Sequence, residues 1–185
     1  MQNIDVHELF KNKYRIKSTR LPNWNYSSDG FYFITICTKN RKCFFGNIIN
    51  GQIELSEIGK IVQKYWQEIP QHFENVSLDE FVIMPNHLHG IVVIENCRMP
   101  IRSRDGVTPS LQQRPTLGQI IGYFKYQTTK IINQIRNMSY VPIWQPRFYD
   151  HIIRDEKSLN SIRNYIKNNP IKWNLDRNNS NNLYM

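Results

Sequence analysis

Cysteine is scarce in this chain, and its few cysteines suggest no pairing. Only Cys37, Cys43 and Cys97 occur among the 185 residues. This odd number, without a Cys-x-x-Cys spacing, argues against a disulfide framework and gives no indication of a zinc knuckle. The cysteine usage therefore fits a reducing cytoplasm.

Long hydrophobic runs are also missing. The uninterrupted aliphatic run 91–94 is far shorter than the about 20 residues that a membrane-spanning helix needs. The first residues, MQNIDVHELFKNKYRIK, carry charges throughout and lack the apolar core of a secretory signal. We therefore expect a soluble, unexported, cytoplasmic protein that has no membrane partner.

Acidic residues are outnumbered by basic ones. Fifteen Asp and Glu stand against 24 Lys and Arg, which gives a formal net charge of +9. Such a balance favours a polyanionic partner, and nucleic acid is the most common one. A length of 185 residues suits one well-packed domain, so any active site has to be assembled within a single core.

Hydrophobic patterns along the chain predict seven regular elements. They predict strands over 31–37, 76–84, 87–94 and 144–154, and helices over 56–69, 116–135 and 156–168. The strand 144–154 is expected at a sheet edge because Pro146 has no amide donor. The order β-α-β-β-α-β-α predicts an α+β, ferredoxin-like (RRM-like) antiparallel sheet, with helices on one face and an added C-terminal helix.

The segments between and around these elements differ in composition. Residues 1–30 are polar and basic and form a looped N-terminal arm, 31–173 form the single folded domain, and 174–185 form a flexible, Asn-rich tail. Residues 96–115 are predicted to form a long irregular basic loop. Its arginines, Arg102 and Arg104 among them, could contact phosphate.

Two histidines stand two residues apart in a predicted strand. Because side chains alternate across a sheet, His87 and His89 project from one face and can share one metal ion, while Leu88 points into the core. A third ligand has to come from elsewhere in the fold. The simpler interpretation, a pair of ordinary surface histidines, stays open because the spacing alone does not exclude it.

Tyr165 and Asn169 lie four residues apart at the end of the last predicted helix and so share one face. A tyrosine hydroxyl has an ordinary pKa of about 10, so it needs a nearby cation to attack phosphate at neutral pH. The plainer interpretations are a core aromatic for Tyr165 and, for Asn169, a residue that ends the helix before Pro170.

Four segments of the chain together resemble the REP-associated tyrosine transposases, a branch of the single-tyrosine HUH transposases. They are STRLPNWNYSSDGFYFITICTKNR, FVIMPNHLHGIVVI, WQPRFYDHIIRD and IRNYIKNNPIKW. MPNHLHG matches the family's histidine-hydrophobic-histidine motif, and YIKNNPIKW matches its tyrosine helix. The resemblance covers nearly all of residues 18–175.

That resemblance implies a role for each motif residue. His87 and His89 would be metal ligands, Asn169 the third ligand at a position where some relatives have glutamine, and Tyr165 the nucleophile. It also implies a Mg²⁺- or Mn²⁺-dependent cut in single-stranded DNA beside a hairpin, which leaves a 5′-phosphotyrosine and a free 3′-hydroxyl that can rejoin. The expected location is then the cytoplasm in association with the nucleoid. Both a homodimer and a monomer are compatible with the resemblance.

Several other residues have a functional and a plainer interpretation. Lys125, Lys130, Arg147 and Arg154 could line a phosphate track, although charged side chains often form only a solvated face. Tyr123 and Tyr126 rank behind Tyr165 as nucleophiles. We expect His151 to be a structural histidine outside the metal site.

Two other functions remain open from the sequence. A non-catalytic, domesticated nucleic-acid-binding protein of RRM-like fold would bind DNA or RNA without covalent attachment. A metal hydrolase that uses water as its nucleophile would tolerate the loss of Tyr165. A pure binding protein has no need of the combination of His87, His89, Tyr165 and Asn169, which favours the transposase.

Overall fold

The structure is a computed structural model that describes residues 20–95 and 114–179. Its strands are β1 (Gly30–Cys37), β2 (Gly46–Ile49), β3 (Gln52–Leu55), β4 (Val76–Met84), β5 (His87–Ile94) and β6 (Tyr149–Ile153). Its helices are α1 (Glu57–Gln67), α2 (Ile69–His72), α3 (Leu117–Ile135) and α4 (Glu156–Asn168). The predicted loop residues Arg102 and Arg104 lie outside the described residues.

Four strands form an antiparallel sheet in the order β4-β5-β1-β6. β1 lies inside the sheet because its run of β-branched and aromatic residues is buried on both faces. In the register between β1 and β5, Thr35 stands opposite His89 and Cys37 opposite His87. This pairing fixes which β1 side chains lie beside the histidines. The α+β, ferredoxin-like fold expected from the sequence is confirmed.

Helices cover the two faces of the sheet differently. On one face, α1 and α3 bury a large core that includes Trp66, Phe124, Leu88 and Val92. α4 lies on the other face, where its Leu159 and Ile166 join a smaller cluster that also contains Phe33, Ile91, Val93 and Ile153. The added C-terminal helix therefore packs on the face from which His87 and His89 project.

Polar side chains fix the start of each long helix. Ser56 caps α1 by accepting from the Gly59 amide, Asp155 caps α4 by accepting from the Ser158 amide, and Thr116 forms a capping box with Gln119 on α3. The predicted helix starts are confirmed. The first predicted helix, 56–69, ends earlier than expected, and α2 follows it as a separate turn.

A short hairpin, β2–β3, was missed in the sequence. Its strands are joined at Asn50 and Gly51, which both have positive φ, 52° and 75°. Asn-Gly is the preferred pair for a two-residue hairpin turn. The hairpin forms a separate two-stranded sheet that contacts β4.

The strand predicted over 144–154 is shorter in the structure, where only Tyr149–Ile153 pairs with β1 as an edge strand. Trp144 instead makes an isolated bridge with Thr38. Its ring packs in the main core, and its Nε1 donates to Thr128 Oγ1 at 2.9 Å. Pro146 follows without an amide donor, so pairing resumes only at Tyr149.

The chain after α4 turns back to the sheet. We predicted a flexible tail from residue 174, whereas the described residues include a 3₁₀ turn, Trp173–Leu175, followed by the buried side chains of Asp176, Asn178 and Asn179. At the other end, residues 20–29 contain only turns and bends, as expected of a looped entry. No helix among the described residues is long and apolar enough to cross a membrane.

Candidate metal and nucleophile site

The two histidines are held by neutral partners. His87 and His89 are buried at the start of β5. His87 Nδ1 lies 2.9 Å from Asn86 Oδ1, and His89 Nδ1 lies 2.8 Å from Thr35 Oγ1. Each ring is therefore oriented through Nδ1, which leaves both Nε2 atoms for a ligand.

The hydrogen bonds of Asn86 determine the tautomer of His87. The Asn86 amide nitrogen donates to the backbone carbonyls of Arg41 at 3.0 Å and Asn178 at 2.7 Å. Because those carbonyls can only accept, the Asn86 side-chain oxygen faces His87, whose Nδ1 must carry the proton. His87 Nε2 therefore presents a lone pair.

Both imidazoles are neutral at physiological pH. Burial, reinforced by the charges of Arg41 and Arg177, lowers the pKa of His87 to about 3. Burial and the neighbouring His87 hold the pKa of His89 well below its usual value. Neutral imidazole is the form that binds metal ions.

The Nε2 atoms converge with an acidic side chain. His87 Nε2 and His89 Nε2 are 3.1 Å apart, and Asp176 Oδ2 lies 3.8 Å from His87 Nε2. One ligand atom from each of the three residues falls within 4.8 Å of the others. Asp176 Oδ1 accepts from the Asn178 amide at 2.6 Å, which orients the carboxylate. The His87 Nε2 lone pair and the carboxylate oxygen thus face one point together with His89 Nε2, an arrangement that a cation would stabilise.

Tyr165 reaches this cluster from α4. Its hydroxyl lies 3.2 Å from His89 Nε2, and its ring is 45% exposed and packs edge-on against Phe33. Burial raises the pKa of Tyr165, and the charge of Asp176 raises it further. The neighbouring Asn169 and Arg177 lower this pKa and partly offset the rise. Without a bound cation, the hydroxyl is therefore protonated at neutral pH.

Asn169 lies at the end of α4 and is buried. Asn169 lowers the pKa of the neighbouring Tyr165, and its own Oδ1 has no hydrogen-bond partner among the described residues. A buried amide oxygen without a partner is costly, so it is suited to a ligand. The two neutral imidazoles and the carboxylate, whose ligand atoms converge, are a donor set that fits a divalent metal ion.

The remaining predicted residues lie in other surroundings. Lys125 Nζ donates to the backbone carbonyls of Gln145 and Pro146, and burial lowers its pKa. The other described cationic candidates are exposed: Lys130, Arg147 and Arg154.

Tyr123, Tyr126 and His151 make no hydrogen bond or ring contact with the histidine pair in the part of the chain that the structure describes. Tyr123 stacks on His72 with ring centroids 3.8 Å apart, and Tyr126 is 64% exposed. His151 is exposed on β6. The second rank of both tyrosines stays a prediction, and the exposed His151 is not the packed structural histidine that the sequence suggested.

Three residues around the site were missed in the sequence. Asp176 was assigned to a flexible tail, and nothing in a polar, Asn-rich segment indicates that one acid returns to the sheet. Asn86 lies between β4 and β5, where its residue type indicates a turn and not a support for His87. Thr35 could have been found, because a polar residue amid the apolar run FYFITIC needs a buried partner.

Comparison with known proteins gives the site its context. No protein-family model matches the chain. An uncharacterised protein of Haemophilus influenzae (strain ATCC 51907 / DSM 11121 / KW20 / Rd) is 46% identical over 166 residues, 87% of this chain and 91% of that protein. Another protein of that strain, provisionally named a REP-associated tyrosine transposase, is 28% identical over 151 residues, 80% of this chain and 74% of that protein.

A solved structure shares the fold. It is a REP-associated tyrosine transposase bound to a REP hairpin, and it aligns with a TM-score of 0.51 and 18% identity over 85% of this chain and 76% of that chain. The chain thus shares the fold of a REP-associated tyrosine transposase, and a 28% identical sequence bears the same family name. The chain therefore resembles the REP-associated tyrosine transposases, as the two sequence motifs predicted.

Proposed function

We propose that the chain is a metal-dependent enzyme that cuts and rejoins single-stranded DNA beside a hairpin, with the Tyr165 hydroxyl as its nucleophile. One observation carries this proposal. The Tyr165 hydroxyl lies 3.2 Å from His89 Nε2, at the point where His87 Nε2 and Asp176 Oδ2 also converge. A nucleophile and a set of metal ligands thus meet on one sheet face.

His87, His89 and Asn169 would hold the metal ion, and Asp176 would add a charged oxygen to the set. Mixed nitrogen and oxygen ligands, with room for water, suit Mg²⁺ or Mn²⁺. When bound, such an ion neutralises charge on the phosphate and favours the ionised tyrosine hydroxyl. Thr35 and Asn86 keep the two imidazoles in the orientation that this role needs.

The chemical step exchanges one phosphoester for another. The Tyr165 oxygen attacks the scissile phosphorus, a bond from phosphorus to the tyrosine oxygen forms, and the bond from phosphorus to the 3′-oxygen breaks. The proton lost by the phenol balances the one gained by the released 3′-hydroxyl. The reverse attack by a 3′-hydroxyl rejoins DNA and frees Tyr165, so neither water nor a nucleotide cofactor is consumed.

Hairpin DNA is the proposed partner. The related solved protein is bound to a REP hairpin, and the net charge of +9 favours a polyanion. Lys130, Arg147 and Arg154 are exposed and available for phosphate. Lys125 is a weaker candidate, because its ammonium group already bonds to backbone carbonyls.

The site needs no second chain to bring nucleophile and ligands together. Tyr165 approaches the histidines of its own chain. This supports a tyrosine that acts on the metal site of its own subunit, whether the protein is a monomer or a homodimer.

The position of α4 argues against the RRM-like binding protein. RRM domains stack bases on aromatic residues of an open sheet face. Here α4 covers part of the corresponding face, where Phe33, Ile91 and Val93 are buried. The transposase is therefore the function that we prefer.

Covalent trapping tests the proposal and finds the substrate at the same time. The full chain is incubated with Mn²⁺ and denatured fragments of the host genome, and DNA that stays attached under denaturing conditions is sequenced. We expect attached strands that begin beside hairpin-forming sequences, and no attachment in chelator. Cleavage without attachment would instead support a water-using hydrolase, and hairpin binding without cleavage in Mg²⁺ or Mn²⁺ would support a binding protein.

A further inference from the structure

The turn that follows β1 has an unusual backbone. It is a 3₁₀ turn, Lys39–Arg41, in which Asn40 and Arg41 both have positive φ, 56° and 52°. Non-glycine residues are uncommon in this left-handed region, and they persist there only where surrounding contacts hold them. The contacts of Arg41 therefore indicate what the turn does for the fold.

The side chain of Arg41 binds the segment that carries Asp176. We call residues 176–179 the return segment. Arg41 Nη1 donates to Asn178 Oδ1 at 2.8 Å and to the Arg177 carbonyl at 3.2 Å. The Asn178 amide in turn donates to Asp176 Oδ1 at 2.6 Å. The guanidinium is therefore linked through one residue to the carboxylate of the metal cluster.

The backbone of Arg41 supports a second ligand. Its carbonyl accepts from Asn86 Nδ2 at 3.0 Å, and the Asn178 carbonyl accepts from the same nitrogen at 2.7 Å. Asn86 Oδ1 then faces His87 Nδ1 at 2.9 Å. Arg41 thus contacts the residue that orients His87 and the residue that orients Asp176.

The charge of Arg41 acts against a bound cation. After burial, this charge is the next cause that lowers the pKa of His87. A positive charge that disfavours a protonated imidazole also repels a metal ion at the same place. Charge alone therefore predicts that removal of the Arg41 guanidinium tightens metal binding. A role in holding the ligands predicts the opposite, so the sign of the change separates the two effects.

We propose that Arg41 is a positioning residue of the metal site, which acts through Asn178 to hold the Asp176 carboxylate beside His87 Nε2. This inference rests on the proposed function, because it assumes that the cluster binds a metal ion. It accounts for the left-handed backbone of the turn and for the hydrogen bonds between residues 41 and 178. It also explains how an acid outside any strand or helix is kept in place.

Calorimetric titration of the full chain with Mn²⁺ tests the role of Arg41. Arg41→Met keeps a long side chain and removes the donors, and it should lower Mn²⁺ affinity about tenfold or more. Arg41→Lys, whose ammonium group can still donate to Asn178 Oδ1, should have an affinity between those of Arg41→Met and the wild type. Lys42→Met, which removes an exposed charge from the next residue, is the control and should not weaken binding.

Nuclear magnetic resonance of the metal-free, ¹⁵N-labelled full chain follows the two supports separately. In Arg41→Met the backbone amide resonance of Asn178 should shift, because its segment loses the guanidinium. The ring nitrogen resonances of His87 should stay in place, because the carbonyl of residue 41 still accepts from Asn86. Thermal melting shows whether each variant is folded, and Arg41→Lys carries the comparison if Arg41→Met is not.

Two results would overturn the inference: equal or tighter Mn²⁺ binding in the folded Arg41 variants, or an equal loss of affinity in Lys42→Met. The DNA adduct of the wild type is scored separately. An adduct on Tyr165 together with unchanged affinity in Arg41→Met refutes the positioning role alone. Weakened affinity in that variant without any wild-type adduct refutes the proposed activity alone, and a wild type that binds no Mn²⁺ refutes both.

Discussion

Thr35 and His89 form the contact that most directly orients the proposed metal site. Thr35 Oγ1 lies 2.8 Å from His89 Nδ1 and is buried. When this hydroxyl accepts the Nδ1 proton, both histidines direct Nε2 lone pairs at one point. The orientation of the site therefore depends on a hydroxyl and an amide rather than on the carboxylates that often support metal-binding histidines.

Thr35→Val should lower Mn²⁺ affinity about 10- to 100-fold, because it removes the hydroxyl that orients His89 and keeps the size and strand preference of the residue. Calorimetric titration with Mn²⁺ measures the change, and Thr129→Val on α3 is the control. Wild-type affinity in Thr35→Val would show that this hydroxyl does not support a metal ligand.

Gly90, which follows the histidine pair, should tolerate no side chain. A Cβ there would lie 2.6 Å from Cζ2 of the fully buried Trp66. We expect Gly90→Ala to destabilise the protein by about 1–3 kcal/mol through overpacking. The matched control is Gly122→Ala on α3, where a Cβ meets nothing within 4 Å and helix propensity favours alanine.

Urea unfolding of both glycine variants provides the measurement. We expect a lower urea midpoint than wild type for Gly90→Ala. For Gly122→Ala we expect an unchanged or higher midpoint. If both variants have the same urea midpoint, contact with Trp66 is not the reason that position 90 requires glycine.

At single residues, sequence reasoning found the groups that lie on regular elements. Strand alternation placed His87 and His89 on one face, and helix periodicity paired Tyr165 with Asn169, as the structure has them. Asp176 lies outside any strand or helix, so no periodic sequence pattern indicates its position. Its position depends on how the chain turns after Pro170, and that turn is set by tertiary packing that a local pattern does not contain.

At the scale of elements, α4 is attached to β4 by ion pairs. Arg163 donates to both carboxylate oxygens of Asp79, at 2.9 Å and 2.6 Å, and Lys167 Nζ lies 3.2 Å from Glu80 Oε2. The hydrogen bonds from Arg163 are the main cause that lowers the pKa of Asp79 below its ordinary value of 3.8. These contacts help to hold the helix that carries Tyr165.

The Asp79 contact predicts a pH-dependent loss of stability. Because the pKa of Asp79 is lower in the folded chain than in the unfolded one, its contribution is fully present above the unfolded value. It is lost as the pH falls through the folded value. The wild type should therefore be more stable than Asp79→Asn at neutral pH, and the difference should shrink below about pH 4.

Chemical denaturation across pH measures this difference. Glu57→Gln, which replaces a side chain that is 83% exposed, is the control and should show a smaller effect. A difference between wild type and Asp79→Asn that stays constant down to pH 3 would contradict the assignment.

Sequence patterns predicted the long elements well and the short ones poorly. The sheet strands β1, β4 and β5 and the helices α3 and α4 have strong hydrophobic periods, and their predicted bounds agree closely with the structure. The four-residue strands β2 and β3 carry almost no period, although the Asn-Gly pair between them was a usable turn signal. The predicted strand 144–154 is longer than the observed strand β6, because aromatic residues before β6 pack in the core instead of pairing with a neighbouring strand.

At the scale of the whole molecule, the positive charge should appear in the salt dependence of DNA binding. The logarithm of the binding constant should fall with the logarithm of salt concentration, with a slope of about −0.7 for each phosphate contacted on a single strand. Lys130→Gln should reduce that slope if Lys130 contacts phosphate. Lys125→Gln should alter stability more than slope, because its ammonium group bonds within the protein. A flat salt dependence would mean that the net charge of +9 is not used on DNA.

The central claim is that a phenolic oxygen becomes linked to DNA, and that this oxygen belongs to Tyr165. The most direct measurement is mass spectrometry of the peptide that remains attached to DNA after denaturation, for the wild type and for Tyr165→Phe, Tyr123→Phe and Tyr126→Phe. Tyr165→Phe removes only the hydroxyl, so the fold and DNA binding should survive. We expect the adduct on Tyr165 in the wild type and in the two control variants, and its loss in Tyr165→Phe. An adduct that persists in Tyr165→Phe would place the nucleophile elsewhere and contradict the account.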